Sequence, residues 1–210
     1  MTTQPSQWEQ IFRSAGHILP EAAPRAIQFV DQVKELGVRS ILDLGCGSGR
    51  HVVHMAQKGL QVTGMDNAPT GLKLTNEWLK REHLEAGLIL ADMRQPFPFA
   101  NESFEAVLST QVIHHALHAT VVATAKEIQR VLCRGGIILI SVPARREIAM
   151  DGEASIEIEP NTFVPISGSE KGLPHHLFTA DEFRGIFPQF QVLDLQIIDG
   201  RIIALTASKI

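Results

Sequence analysis

The stretch Ser40–His51 reads S-I-L-D-L-G-C-G-S-G-R-H, and its reading decides the fold. Ile41, Leu42 and Leu44 make a short apolar run, which suits a buried parallel strand. Gly45, Gly47 and Gly49 follow at once. A residue without Cβ takes positive φ and lets a ligand approach the backbone closely. Beyond Gly49, R-H-V-V-H-M-A-Q-K contains no proline and spaces Val52, Met55 and Ala56 as a helix does. Strand, glycine turn and helix start together form a nucleotide-type site at the carboxyl end of a strand.

The dinucleotide fingerprint is G-x-G-x-x-G. Here the third glycine comes one residue early, and Arg50 stands where the fingerprint wants glycine. Asp43 lies two residues before the first glycine, at the strand end. A carboxylate there repels a pyrophosphate and suits a ligand with positive charge. S-adenosylmethionine carries a sulfonium and an ammonium group and no phosphate, so the charge favours it over a nicotinamide or flavin cofactor.

With 210 residues the chain has the length of one domain and can bury a substantial core. A net charge of −4 is not the basic footprint of a strong nucleic-acid binder. The two cysteines, Cys46 and Cys133, are far apart and belong to no C-x-x-C pair, which argues against a disulfide framework or a cysteine zinc site. No secretory signal and no apolar run of membrane-spanning length is visible, so a cytoplasmic protein without a membrane partner is expected.

Toward the N-terminus, Trp8, Ile11 and Phe12 have helical spacing, and Ala26, Phe29, Val30 and Val33 share one face of a second helix that ends before Gly37. Residues 1–36 therefore read as an N-terminal helical cap. After the glycine turn, L-Q-V-T-G-M-D ends a second strand at Asp66. An acid at that spacing accepts from ribose hydroxyls. It also suits the cap of the helix that Pro69 opens. A third strand, Gly87 to Ala91, ends in Asp92-Met93. Three acids, Asp43, Asp66 and Asp92, thus end three successive strands.

The segment I-L-D-L-G-C-G-S-G resembles the first motif of class I S-adenosylmethionine-dependent methyltransferases, of the methyltransferase type 11 kind. S-F-E-A-V-L-S resembles that family's fourth strand, with Glu105 where aspartate is usual. R-V-L-C-R-G-G-I-I-L-I-S-V resembles its fifth, with Arg134 where proline is common. The resemblance covers roughly residues 38 to 142. It implies a three-layer α/β, Rossmann-like fold. The sheet has seven mostly parallel strands and ends in a C-terminal antiparallel hairpin. The strands Phe190 to Ile198 and Arg201 to Ala207, joined by Asp199-Gly200, fit that hairpin.

The resemblance also implies S-adenosylmethionine as cofactor, held by Asp43, Gly45, Cys46, Gly47, Gly49, Asp66, Asn67, Asp92, Met93, Ser109 and Thr110. In the family, the acid at Asp92 accepts from the adenine amino group and Met93 packs on the ring; the alternative for Asp92 is a surface loop acid. The N-terminal helices often cover the substrate side there, although Trp8 and Phe12 also suit plain packing on the sheet. The region T-Q-V-I-H-H lies beside the donor methyl in the family, which makes Thr110, Gln111, His114 and His115 candidates for lining the reaction centre.

Residues 143–178 break the alternation of strands and helices. They read as a long, glycine- and proline-rich loop inserted on the substrate side, acidic at Asp151, Glu153, Glu157 and Glu159 and ending in G-L-P-H-H-L-F. Its early acids either attract a cationic acceptor or make a solvated face. Methyl transfer needs an oriented nucleophile and, where that nucleophile must lose a proton, a base. His114, His115, His175 and His176 are the candidates for that work, since histidine titrates near neutrality; the alternative is hydrogen-bonded packing. His114 and His118 are four apart and on a helix could share a metal, but no third ligand is apparent, so no metal is expected. The expected function is methyl transfer to a small molecule. The alternatives are a tRNA methyltransferase of wobble-uridine type, which V-I-H-H also resembles, and a non-catalytic cofactor-binding domain. The sequence leaves the oligomeric state open.

Overall fold

The computed structural model describes residues 6–145 and 154–210. Residues 151 and 153, two of the loop acids, lie outside the described residues. The strand Ser40–Leu44 (β1) runs at the centre of a seven-stranded sheet. Its parallel partners are Gln61–Asp66 (β2) and Phe104–Thr110 (β4). Gly87–Leu90 (β3) pairs with β2, and Leu132–Pro143 (β5) with β4, both parallel.

Outside β5 lie the antiparallel strands Phe190–Ile198 (β9) and Ile202–Lys209 (β10), in the order β3-β2-β1-β4-β5-β10-β9. Asp199 and Gly200, both at positive φ, make the two-residue turn that joins them. Among the described residues no helix is long and apolar enough to cross a membrane.

Strand side chains alternate between two faces. Ile41, Ala106, Leu108, Ile137 and Leu139 face one way, onto helices Pro24–Glu35 (α2), Arg50–Gln57 (α3) and Pro69–Arg81 (α4). Leu42, Leu44, Val107, Ile138 and Ile140 face the other, onto His118–Val131 (α5) and Ala180–Gly185 (α6). Thr179 and Glu182 form the capping box that opens α6. The chain winds outward from β1 to β3, then returns to β4 on the other side of β1. A ligand crevice belongs at that reversal of strand order, outside the carboxyl ends of β1 and β4.

Two expectations need correction. Gly135-Gly136 does not end α5. Leu132 is already extended, and the glycines lie inside β5, where the register with β4 shifts between Phe104 and Ala106. Gly135 takes positive φ, which an irregular strand start tolerates.

The segment 143–178 is also not one long loop. Ser155–Glu159 (β6), Thr162–Pro165 (β7) and His175–His176 (β8) form a second, antiparallel sheet. Ile156 and Ile158 remain exposed on β6, so its ladder, not a buried face, holds it. Glu159 is tied inward: it accepts from the His118 N–H at 2.6 Å and from Thr162 Oγ1 at 2.9 Å. It thereby serves the start of α5 rather than an acceptor.

Candidate active site

The glycine turn carries positive φ at Gly45, Gly47 and Gly49. The Gly45 and Cys46 N–H groups donate to the Met65 carbonyl at 2.8 and 3.2 Å, which ties the turn to β2. A Cβ on Gly45 would stand 2.4 Å from the Val112 side chain, so the turn and the loop after β4 approach as closely as backbone allows. The Cys46 thiol packs under the turn against Gly64, and burial drives its pKa up. Cys46 therefore offers the cleft its backbone, not a nucleophile.

Asp43 is 1% exposed, and its Oδ2 has no hydrogen-bond partner. Burial pushes the carboxyl up to about 7, against the pull of Arg50. A buried, unpartnered carboxylate oxygen beside a close-approach turn fits a cofactor bearing positive charge.

Asp66 accepts from the Gly47 N–H at 2.8 Å through Oδ2 and from the Ala68 N–H at 2.9 Å through Oδ1. Asp66 therefore fixes the glycine turn and the chain leading into α4, but it is not the helix cap, which is Ala68 without a side-chain cap bond; each oxygen keeps a second lone pair for a further donor. Burial raises its pKa while those N–H groups pull it back. Asn67 Oδ1 accepts from Ser6 Oγ at 3.3 Å. Met93 lines the cleft beside Asp92. The Asp92 carboxylate is gripped by Arg94, with Nη2 at 2.5 Å and Nε at 2.9 Å. Burial pushes Asp92 up, but Arg94 leaves it below its ordinary value. The carboxylate that the resemblance assigns to an adenine amino group is thus already held by a guanidinium.

The end of β4 forms the opposite wall. Thr110 lines the cleft, with its Oγ1 3.5 Å from His51 Nδ1. Ser109 is fully buried and donates to the Leu44 carbonyl at 3.0 Å, bracing β1 from below the cleft. Gln111 has φ of 57°, a left-handed conformation rare outside glycine, held by its N–H to the Ser141 carbonyl at 3.0 Å. His51 was not apparent from sequence. Its Nε2 accepts from the Ala23 N–H at 3.2 Å, so the neutral ring carries its proton on Nδ1 toward Thr110. Burial lowers its pKa to about 3.

Gln7–Ala15 (α1) roofs the cleft. Phe12 packs on Gly47 and Gly71, and Trp8 meets His115 edge-on with centroids 5.2 Å apart. Glu9, also missed, anchors the roof: 3% exposed, it accepts from the Thr70 N–H at 2.8 Å and Thr70 Oγ1 at 2.7 Å, and it pairs with Arg13. Gln7 Nε2 donates to the Ser169 carbonyl at 2.7 Å and joins the roof to the inserted segment. The cleft encloses about 470 Å³.

The four candidate histidines divide. His115 is on the cleft wall. His114 and His175 stand beside it, with centroids 3.8 and 4.7 Å from its ring. His176 belongs elsewhere: its Nδ1 is 2.7 Å from Thr162 Oγ1 and its Nε2 3.1 Å from Glu182 Oε1. His118 joins that second group rather than His114, because α5 begins only at His118. Burial pushes His115 to about 3 and His175 to about 4, and it drives His114 well down. None of these three is poised near neutrality.

Residues 42–140 match the family model described as a methyltransferase domain. Over 102 residues the chain is 34% identical to the 18S rRNA (guanine-N(7))-methyltransferase bud23 of Schizosaccharomyces pombe, covering 49% of this chain and 36% of that protein. Over 104 residues it is 31% identical to a ubiquinone biosynthesis O-methyltransferase of Chromobacterium violaceum, covering 46% and 42%. The chain thus spans less than half the length of these relatives. A solved S-adenosylmethionine-dependent methyltransferase from Clostridium acetobutylicum superposes with a TM-score of 0.71 over 96% of both chains, at 11% identity. Residues 42–140 thus match a methyltransferase domain, and the chain shares its fold with solved S-adenosylmethionine-dependent methyltransferases.

Proposed function

We propose that the chain transfers the methyl group of S-adenosylmethionine to a small-molecule acceptor in the cytoplasm. The observation that carries the small-molecule reading is the roof. Phe12 lies over the glycine turn, Trp8 packs edge-on against His115 on the cleft wall, and the Gln7–Ser169 bond closes α1 onto the inserted segment. A cleft covered in this way takes a compact acceptor more readily than a folded RNA. The net charge of −4 supports the same reading, since RNA affinity rests on neutralising phosphates. Two free cysteines suit a reducing compartment.

Bound in the cleft, the cofactor supplies a methyl group already activated on a sulfonium. Asp43 would face its positive charge, the glycine turn would lie against its amino-acid end, and Asp66 would hold the ribose. Asp92 and Met93 flank the adenine. The chain's remaining task is to orient the acceptor and exclude water. Thr110, Gln111 and His115 wall the acceptor end. With His115 held near 3, a general base of the usual histidine kind is not part of this reading.

An RNA acceptor is the second reading, favoured by the likeness to an rRNA methyltransferase. Calorimetric titration with S-adenosylmethionine, S-adenosylhomocysteine and NAD comes first. Binding of the first two, lost in Asp66→Ala, supports the cofactor site; binding of NAD alone overturns it. Labelled methyl transfer into a metabolite extract then supports the small-molecule acceptor. Transfer into RNA alone overturns it in favour of the second reading. Cofactor binding with transfer into neither extract points to a non-catalytic domain.

A further inference from the structure

We propose that His114, His115 and His175 bind a divalent transition metal ion, zinc by the chemistry of the donor set, at the acceptor end of the cleft. One ring nitrogen from each lies within 4.8 Å of the others. All three side chains are more than nine-tenths buried. His114 Nδ1, His115 Nδ1 and His175 Nε2 are buried with no hydrogen-bond partner. Among the described residues only two other side-chain atoms share that condition, Asp43 Oδ2 in the cofactor cradle and His54 Nε2. A buried imidazole nitrogen left unpaired costs free energy, and three gathered in one place imply a shared partner. No second acid or hydroxyl satisfies them. Glu170 Oε2 stands 3.2 Å from His175 Nε2, at ion-pair distance but without hydrogen-bond alignment. Its charge partly offsets that of a bound cation.

The backbone holds this arrangement rigidly. The His176 N–H donates to the His114 carbonyl at 2.9 Å, and β8 is held to β7 by the Phe163–His175 and Thr162–His176 pairs. The third ligand thus comes from a segment about 60 residues away; the sequence marks His175 as a candidate residue but not its grouping with His114 and His115. The other candidate group, His118, His176 and Glu182, is less open to a metal, because both His176 nitrogens are engaged by Thr162 and Glu182.

Three imidazoles with an open fourth position are a recurrent catalytic zinc arrangement. Tetrahedral Zn–N bonds of about 2.1 Å set ligand nitrogens about 3.4 Å apart, so the rings close by no more than roughly 1.4 Å. His115 lies on the cleft wall, so the open position faces the acceptor end. It suits an acceptor bearing an acidic hydroxyl or thiol, whose oxygen or sulfur takes that position. This choice of acceptor rests on the methyl-transfer reading above, whereas the metal site does not.

The test uses the full chain, stripped with a chelator and titrated with Zn²⁺ and, for its absorption spectrum, Co²⁺. The expected result is one metal per chain at micromolar affinity or tighter, with a four-coordinate Co²⁺ spectrum. His115→Ala and His175→Ala should each weaken binding at least about 100-fold, beyond the loss typical of an outer-shell change. Glu182→Gln should leave it unchanged. S-adenosylhomocysteine titration of His175→Ala shows that the variant still folds. Absence of metal binding by the wild type overturns the proposal. So does loss in Glu182→Gln with retention in His175→Ala. Metal binding by a wild type that binds no S-adenosylhomocysteine sinks the methyl-transfer reading and leaves the metal site standing.

Discussion

The Gly45 backbone and the Val112 side chain meet so closely that a Cβ on Gly45 would stand 2.4 Å from either Val112 methyl. The turn after β1 and the loop after β4 are therefore fitted to one another with no room for a methyl group. The same loop carries Gln111 at positive φ and leads into His114 and His115. Cofactor cradle and acceptor wall are thus parts of one packed unit.

Gly45→Ala should abolish S-adenosylhomocysteine binding and lower the melting temperature. Two costs act at once: the collision with Val112 and a φ of 73° that an L side chain avoids, the latter worth about 1–2 kcal/mol. Adding Val112→Ala removes both methyls but leaves the residue 112 Cβ 2.9 Å away, so it should relieve most of the first cost and leave the second. The double variant is thus expected to melt between wild type and Gly45→Ala. A double variant no better than the single one would show that the backbone strain dominates.

Glu9→Ala should loosen the roof without unfolding the sheet. It leaves the partly buried Thr70 N–H without its acceptor at the start of α4, a loss of about 1 kcal/mol. Hydrogen exchange over residues 7–15 should rise while exchange in β1 and β4 stays slow. Uniform acceleration across the sheet would show that α1 is integral to the fold rather than a hinged cover.

The sheet was legible because its signals are local. Short apolar runs mark β1 and β4, Asp199-Gly200 marks the hairpin, and Thr179 with Glu182 marks α6. The cradle was legible for the same reason, since glycine spacing and strand-end acids sit within short windows. What escaped depends on contacts between distant segments. Nothing near Glu9 distinguishes it from a solvated helix acid until Thr70 is brought to it. Asp92 reads as an adenine acceptor until Arg94 is seen to fold back on it. The strand β6 buries no face, so no pattern announces it. The grouping of His114 and His115 with His175 needs β8 to be hung on the loop after β4, which no spacing encodes.

Gly200→Ala should destabilise the chain by about 1 kcal/mol through backbone strain alone. Gly200 has φ of 64°, and a Cβ there meets no atom within 4 Å. Thermal melting should shift down while cofactor affinity stays at the wild-type value, because the hairpin lies at the far edge of the sheet. A change in cofactor binding would mean that the hairpin supports the cleft through β5.

Asp43→Asn should abolish the pH dependence that the buried acid imposes. Burial raises the folded pKa from 3.8 to about 7, so the folded chain binds the proton more tightly than the unfolded one. The stabilisation is complete below about pH 4 and is lost as pH rises through about 7. Asparagine has no proton to lose, so the melting temperature of Asp43→Asn relative to wild type should climb between pH 4 and 7 and level off above. Cofactor binding should run the other way. A positively charged ligand favours the ionised carboxylate, so wild-type affinity for S-adenosylmethionine should tighten as pH rises toward 7, with proton release measurable in buffers of different ionisation enthalpy. Asp43→Asn should bind at least about tenfold more weakly above pH 7, a loss of about 1.4 kcal/mol, and show no such slope. A wild-type affinity that is flat across this range would mean that Asp43 does not face the cofactor's charge.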